Sequence, residues 1–91
     1  MDRRVLFIED DPAVARAYVI GVRGLGLLHR TAASIEEGAA IWASWQPDVV
    51  VLDGNLPDGT WKQLLANRRH ELPDAEVHLV VGFPQSDEAL S

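Results

Sequence analysis

Two apolar runs in this chain end abruptly in acid. Val5 to Ile8 stops at Glu9-Asp10-Asp11, and Val49 to Leu52 stops at Asp53. Carboxylates gathered within a few ångströms repel one another, and some are forced neutral at pH 7 unless a cation relieves them. A small set of hard oxygen donors suits Mg²⁺, which keeps several of its waters. A carboxylate beside such a cation can accept a phosphoryl group, because the metal neutralises charge on the transferred oxygens. There is a plainer reading of each acid alone: Glu9 and Asp11 favour the N-terminus of a following helix, and Asp53 closes a loop. What separates the readings is whether the fold brings Glu9, Asp10 and Asp53 together.

The elements that must do this can be read in order. Val5 to Ile8 lacks polar alternation and reads as a strand buried on both faces. Asp11 is placed as N-cap and Pro12 as first residue of a helix to about Arg23. Its inward residues are expected to be Val14, Tyr18, Val22 and Leu25, with Gly24 and Gly26 ending it. Leu27 to Ala32 is a weaker strand of mixed polarity, expected at a sheet edge. Ser34 and Glu37 form a capping box, opening a helix that buries Ile35, Ala39, Trp42 and Ala43 and stops before Pro47. Val49 to Asp53 is a buried strand with three valines in succession. Asn55, Pro57, Asp58 and Gly59 then enforce a turn. Thr60 to His70 reads as a third helix with Trp61, Leu64 and Leu65 on its apolar face. Val77 to Val81 is a fourth strand, ended by Gly82-Phe83-Pro84, and Ser86 opens a helical stub over Asp87 to Leu90.

Strands alternating with helices imply a parallel sheet with helices on both faces. In the flavodoxin-like order 2-1-3-4 the first strand lies beside the third, and Glu9, Asp10 and Asp53 converge at the carboxyl edge, where such sheets place their ligands.

Composition bounds the function. Ninety-one residues make one small α/β domain, 1–91, with one core. A net charge of −6 argues against direct nucleic-acid binding. There is no cysteine, hence no disulfide framework or thiolate metal site. No apolar run approaches a membrane span, and Glu9 stops the first run too early for a signal peptide. The expectation is a soluble cytoplasmic protein. His29, His70 and His78 are scattered, and Trp42, Trp45 and Trp61 read as packing residues.

Val5-Leu6-Phe7-Ile8-Glu9-Asp10-Asp11-Pro12 resembles the opening of the receiver domain of two-component response regulators. Val50 to Gly59 is similar to that family's phosphoacceptor strand and loop, with Pro57 four residues after Asp53. The resemblance covers essentially the whole chain. It implies that Asp53 is phosphorylated from a sensor histidine kinase or a phosphotransfer protein. It further implies that Glu9, Asp10 and Asp53 hold Mg²⁺ together with the backbone carbonyl of Asn55, with Asp11 as an acidic neighbour. Such a protein is a signalling module rather than an enzyme. Asp53-Gly54-Asn55-Leu56 also resembles the aspartate loop of haloacid-dehalogenase-type phosphatases, but the nucleophile those require two residues earlier is Val51 here.

The chain departs from the receiver pattern in informative places. Val81 stands where family members carry a Thr or Ser hydroxyl, while Gly82 fits the small residue that follows. The chain's one lysine, Lys62, lies on the third helix rather than at the end of a fifth strand. Fifth strand, switch aromatic and last helix have no counterpart in these residues, so the reading is of a truncated, atypical receiver, either naturally so or as a fragment of a longer one. Two functions follow as expectations. One is a phosphoacceptor using Asp53 and Mg²⁺. The other is a pseudo-receiver, an interaction or dimerisation module that is never phosphorylated. With no fifth strand to cover it, Val77 to Val81 becomes an apolar edge, and a homodimer through that edge is expected.

Overall fold

The computed structural model describes residues 3–53, Lys62, Leu64, Ala66 and residues 72–80. The elements are β1 (Arg4–Ile8), α1 (Pro12–Gly24), β2 (Leu28–Ala32), α2 (Ile35–Trp45), β3 (Val49–Asp53) and β4 (Glu76–Val80). The four strands form one parallel sheet in the order β2-β1-β3-β4. This is the flavodoxin-like arrangement expected from the alternation of elements. Of the expected third helix, Lys62, Leu64 and Ala66 are helical and Leu64 is buried. The stub over Asp87 to Leu90 lies outside the described residues.

Register fixes what each face holds. Phe7 is level with Thr31 and Val51, and Ile8 with Ala32 and Leu52. Side chains alternate across a strand, so Leu6, Ile8, Val50 and Leu52 share one face. All four are fully buried there, in a core with Ala32, Ile35, Trp42 and Leu64. Trp42 has no exposed surface, and its indole Nε1 donates to the Pro73 carbonyl at 2.8 Å. That bond satisfies the one polar atom that a buried tryptophan brings with it. Gly38 admits α2 to this face: a Cβ there would stand 2.4 Å from Ile8 Cδ1 and 2.7 Å from Ile8 Cγ1.

The opposite face carries Val5, Phe7, Val49, Val51 and Asp53, with α1 against it. Phe7 stacks on Tyr18, ring centroids 4.9 Å apart and planes within 4°. The phase of α1 differs from the expected one. Ala15, Tyr18, Val19 and Val22 are its half-buried residues, while Val14 and Leu25 are exposed. Leu25 lies past the helix in the turn. There Gly26 N–H donates to the Arg23 carbonyl at 3.1 Å and Leu27 N–H to the Val22 carbonyl at 3.2 Å. This is a Schellman ending, and Gly26, at φ 72°, supplies its left-handed residue.

α2 keeps its expected start, with Ser34 Oγ accepting from Glu37 N–H at 3.1 Å. Ala43, expected inward, is exposed, and Ile41 is the half-buried residue in its place. The helix ends at Gln46, which adopts φ 53° without being a glycine. β2 begins one residue later than expected, at Leu28, and β4 begins one residue earlier, at Glu76.

Candidate functional site

The amino ends of β1, β3 and β4 are tied by one residue. Asp48 Oδ2 accepts from Arg4 N–H at 2.8 Å, Asp48 N–H donates to the Arg4 carbonyl at 2.9 Å, and Glu76 N–H donates to the Asp48 carbonyl at 2.9 Å. Arg4 Nη1 reaches the Trp45 carbonyl at 3.1 Å. With β1, β3 and β4 aligned from below, their carboxyl ends finish level, Asp53 facing Val80 in register.

At that upper edge β1 runs out into Glu9, whose N–H donates to the Ala32 carbonyl at 2.8 Å. The extra bond carries the strand's alternation one residue further and puts Glu9 on the face of Phe7 and Asp53. Asp11 turns away to cap α1, its Oδ1 accepting from Ala13 N–H at 2.9 Å. Asp11 therefore serves the helix, and Glu9, Asp10 and Asp53 form the cluster. One carboxylate oxygen from each lies within 4.8 Å of the other two. Glu9 and Asp53 are half-buried and Asp10 is exposed.

The electrostatics are those of like charges forced together. The Glu9 carboxyl is pushed up to about 7, first by burial and then by its hydrogen bond to Asp53. The charge on Asp53 and a hydrogen bond with Asp10 raise it further. The Asp11 N–H, 3.3 Å from Glu9 Oε2, acts in the opposite direction, more than either of these. A proton shared between two carboxylates is how an acidic cluster without a cation relieves itself. A divalent ion would do the same with its own charge, and three hard oxygen donors open to solvent on one side fit Mg²⁺.

Tyr18 lies on the same face, below the cluster. Burial raises its phenol above the ordinary value, and the charges on Glu9 and Asp53 raise it further. Beside the acids an open groove of about 670 Å³ starts at Glu9 and Asp10, flanked by Arg16, Ile20 and Arg23 of α1 and by Glu37.

The fold thus brings together three of the metal-site residues read in the sequence. Asn55, Val81 and Gly82 lie outside the described residues. Sequence reasoning placed Tyr18 inward but gave it no part in the site. Its signal was available: it follows Asp11 by seven residues, two helical turns on the same side of α1. Asp48, the clamp at the other edge, was not singled out; a carboxylate right before a buried strand was the clue.

No protein-family model matches the chain. Over 82 residues it is 28% identical to the photosynthetic apparatus regulatory protein RegA of Cereibacter sphaeroides, a match covering 90% of this chain and 45% of that protein. The chain therefore spans about half the length of this curated relative. Among solved structures it superposes on a CheY-like response regulator receiver domain protein from Methanospirillum hungatei JF-1 with a TM-score of 0.78. That pair is 23% identical and covers 99% of this chain and 72% of the other. It also superposes on a response regulator protein from Burkholderia pseudomallei, solved with a phosphorylated aspartic acid, a calcium ion and citrate. There the TM-score is 0.80 at 21% identity, over 98% of this chain and 52% of the other. The fold is that of the response-regulator receiver domains, as the two acidic motifs implied.

Proposed function

We propose that this receiver-fold chain takes part in two-component signalling by accepting a phosphoryl group on Asp53, with Mg²⁺ held by Glu9, Asp10 and Asp53. The observation that carries the reading is the cluster itself: three carboxylates from two strand ends, within 4.8 Å of one another, with Glu9 pushed up to about 7. Such crowding opposes folding, and a cation between the carboxylates would relieve it. The phosphorylated aspartate and calcium ion named for the Burkholderia pseudomallei structure support the same chemistry on this fold.

The bound cation would supply charge neutralisation on the phosphoryl oxygens. Asp53 supplies the nucleophile: one of its carboxylate oxygens forms the bond to phosphorus while the bond from phosphorus to the donor's imidazole nitrogen breaks. The leaving imidazole keeps that electron pair. To serve as a ligand Glu9 would be deprotonated, and Asp10, the exposed member, would offer the carboxylate on the solvent side. Asn55 completes the ligand set through its carbonyl in this reading. The phosphodonor is a sensor histidine kinase or a phosphotransfer protein, and the setting is the cytoplasm. Among the described residues no helix is long and apolar enough to cross a membrane.

The test is incubation with Mg²⁺ and a small acyl phosphate or phosphoramidate, followed by intact-mass analysis. One phosphoryl adduct, absent in Asp53→Asn and absent when Mg²⁺ is chelated, is the expected result. An unmodified wild type overturns the reading.

A second reading has its own observation. Leu79 and Val80 of β4 are more than a third exposed, and among the described residues β4 pairs with β3 alone. Together with Val81, which offers no hydroxyl, this favours an unphosphorylated module that dimerises through the β4 edge. Light scattering at micromolar concentration tests it: a mass doubled in wild type and halved in Leu79→Glu supports the dimer, and a concentration-independent monomer ends it.

A further inference from the structure

Among the described residues the site around Asp53 is rich in acceptors. Glu9, Asp10 and Asp53, when ionised, only accept. A phosphoryl group on Asp53 would add three more terminal oxygens, of which a cation covers one or two. The remaining oxygen needs a hydrogen-bond donor that carries no negative charge. Tyr18 is the described side chain placed to provide one. Its ring is locked parallel to Phe7 at 4.9 Å, and Phe7 stands two residues before Glu9 and is level with Val51, two residues before Asp53. Alternation puts those four strand side chains on one face, and the stack on Phe7 sets Tyr18 against it. Tyr18 is half-buried, and its hydroxyl forms no hydrogen bond among the described residues.

We propose that Tyr18 is the neutral donor of this site, its phenolic O–H hydrogen-bonding a terminal oxygen of the phosphoryl group on Asp53. This rests on Asp53 being the acceptor, as set out above. The charges of both Glu9 and Asp53 also act on the phenol and raise its pKa. The same charges, with burial, keep it protonated well beyond neutral pH, so it arrives as a donor rather than as a fourth anion. The Phe7 stack fixes the ring plane, so little conformational freedom is lost when the hydrogen bond forms.

The test uses beryllofluoride, which mimics an aspartyl phosphate, in the presence of Mg²⁺, with affinity read by fluorine NMR. Tyr18→Phe keeps the ring and its stack and removes only the hydroxyl. The expected result is roughly tenfold weaker retention of the mimic, with an unchanged thermal midpoint in its absence. Equal affinity in wild type and Tyr18→Phe overturns the inference while leaving Asp53 as acceptor. No binding by wild type, with Asp53→Asn equally inert, overturns the acceptor reading itself. A second measurement holds even if Tyr18→Phe folds poorly. Tyr18 is the chain's one tyrosine, so 3-fluorotyrosine enters at a single place. Its fluorine resonance should shift when the mimic binds, and a resonance that stays put counts against the contact.

Discussion

The two ends of the sheet use the same residue type in opposite ways. At the amino end Asp48 meets backbone donors: its carboxylate and its peptide group tie Arg4 and Glu76 into place. At the carboxyl end Glu9, Asp10 and Asp53 meet each other, and Asp11 N–H reaches Glu9 Oε2 only at a long 3.3 Å. A carboxylate answered by N–H groups contributes to the fold. Carboxylates answered by carboxylates work against it unless a proton or a cation relieves them. Where the donors are therefore separates structure from function more clearly than burial does, since Asp48 and Asp10 are both exposed.

The comparison can be broken by substitution at either end. The largest effect expected is on metal binding. Loss of a residue that merely supports a metal ligand costs about 10–100-fold in affinity. Asp53→Asn or Asp10→Ala should lose at least that much for Mg²⁺, measured by isothermal titration, while Asp48→Ala binds Mg²⁺ normally. Next in size is stability without metal. Asp48→Ala should cost about 1–2 kcal/mol in urea unfolding, and Asp53→Asn should cost nothing or stabilise the fold. If both variants lose stability equally, the two ends are not the opposites described.

A smaller effect concerns pH. Glu9 holds its proton more tightly in the folded chain than in the unfolded one, where its ordinary value is 4.5. Its contribution is thus fully present below 4.5 and is lost as pH rises through about 7. The metal-free protein should lose stability over that window by no more than about 1 kcal/mol, because solvent on the open side of half-buried Glu9 screens the charges. Glu9→Gln should flatten the slope, and saturating Mg²⁺ should reverse it. The smallest effect is optical: with the charge at position 53 removed, the Tyr18 phenol in Asp53→Asn should titrate closer to the ordinary tyrosine value, followed by phenolate absorbance.

Much of the site was legible because each acid marks the end of an apolar run, and the alternation of elements fixes which runs lie side by side. The phase of α1 was not. Val14, Val19, Ile20 and Val22 spread apolar surface around the helix, so spacing alone admits more than one inner face. The stack of Tyr18 on Phe7 is tertiary and selects Ala15, Val19 and Val22 as its companions. Gln46 in the left-handed region carries no glycine or asparagine to announce it. Trp42 could be assigned to the core from its place on α2, but its partner carbonyl at Pro73 lies 31 residues away and no local pattern connects them.

The hydrogen bond between Arg4 and Asp48 spans 44 residues of chain, and this has a consequence during synthesis. β1 forms the middle of the sheet with β3, so its most apolar residues find that partner only after α1, β2 and α2 have been made. At about 5–20 residues per second, Val5 to Ile8 wait roughly 2–9 s for Val49 to Leu52 to be translated, and longer for them to leave the ribosome. In that interval the nascent chain carries an unpaired hydrophobic strand followed at once by Glu9-Asp10-Asp11. Those acids put negative charge directly after the waiting strand, the placement that discourages pairing with another chain.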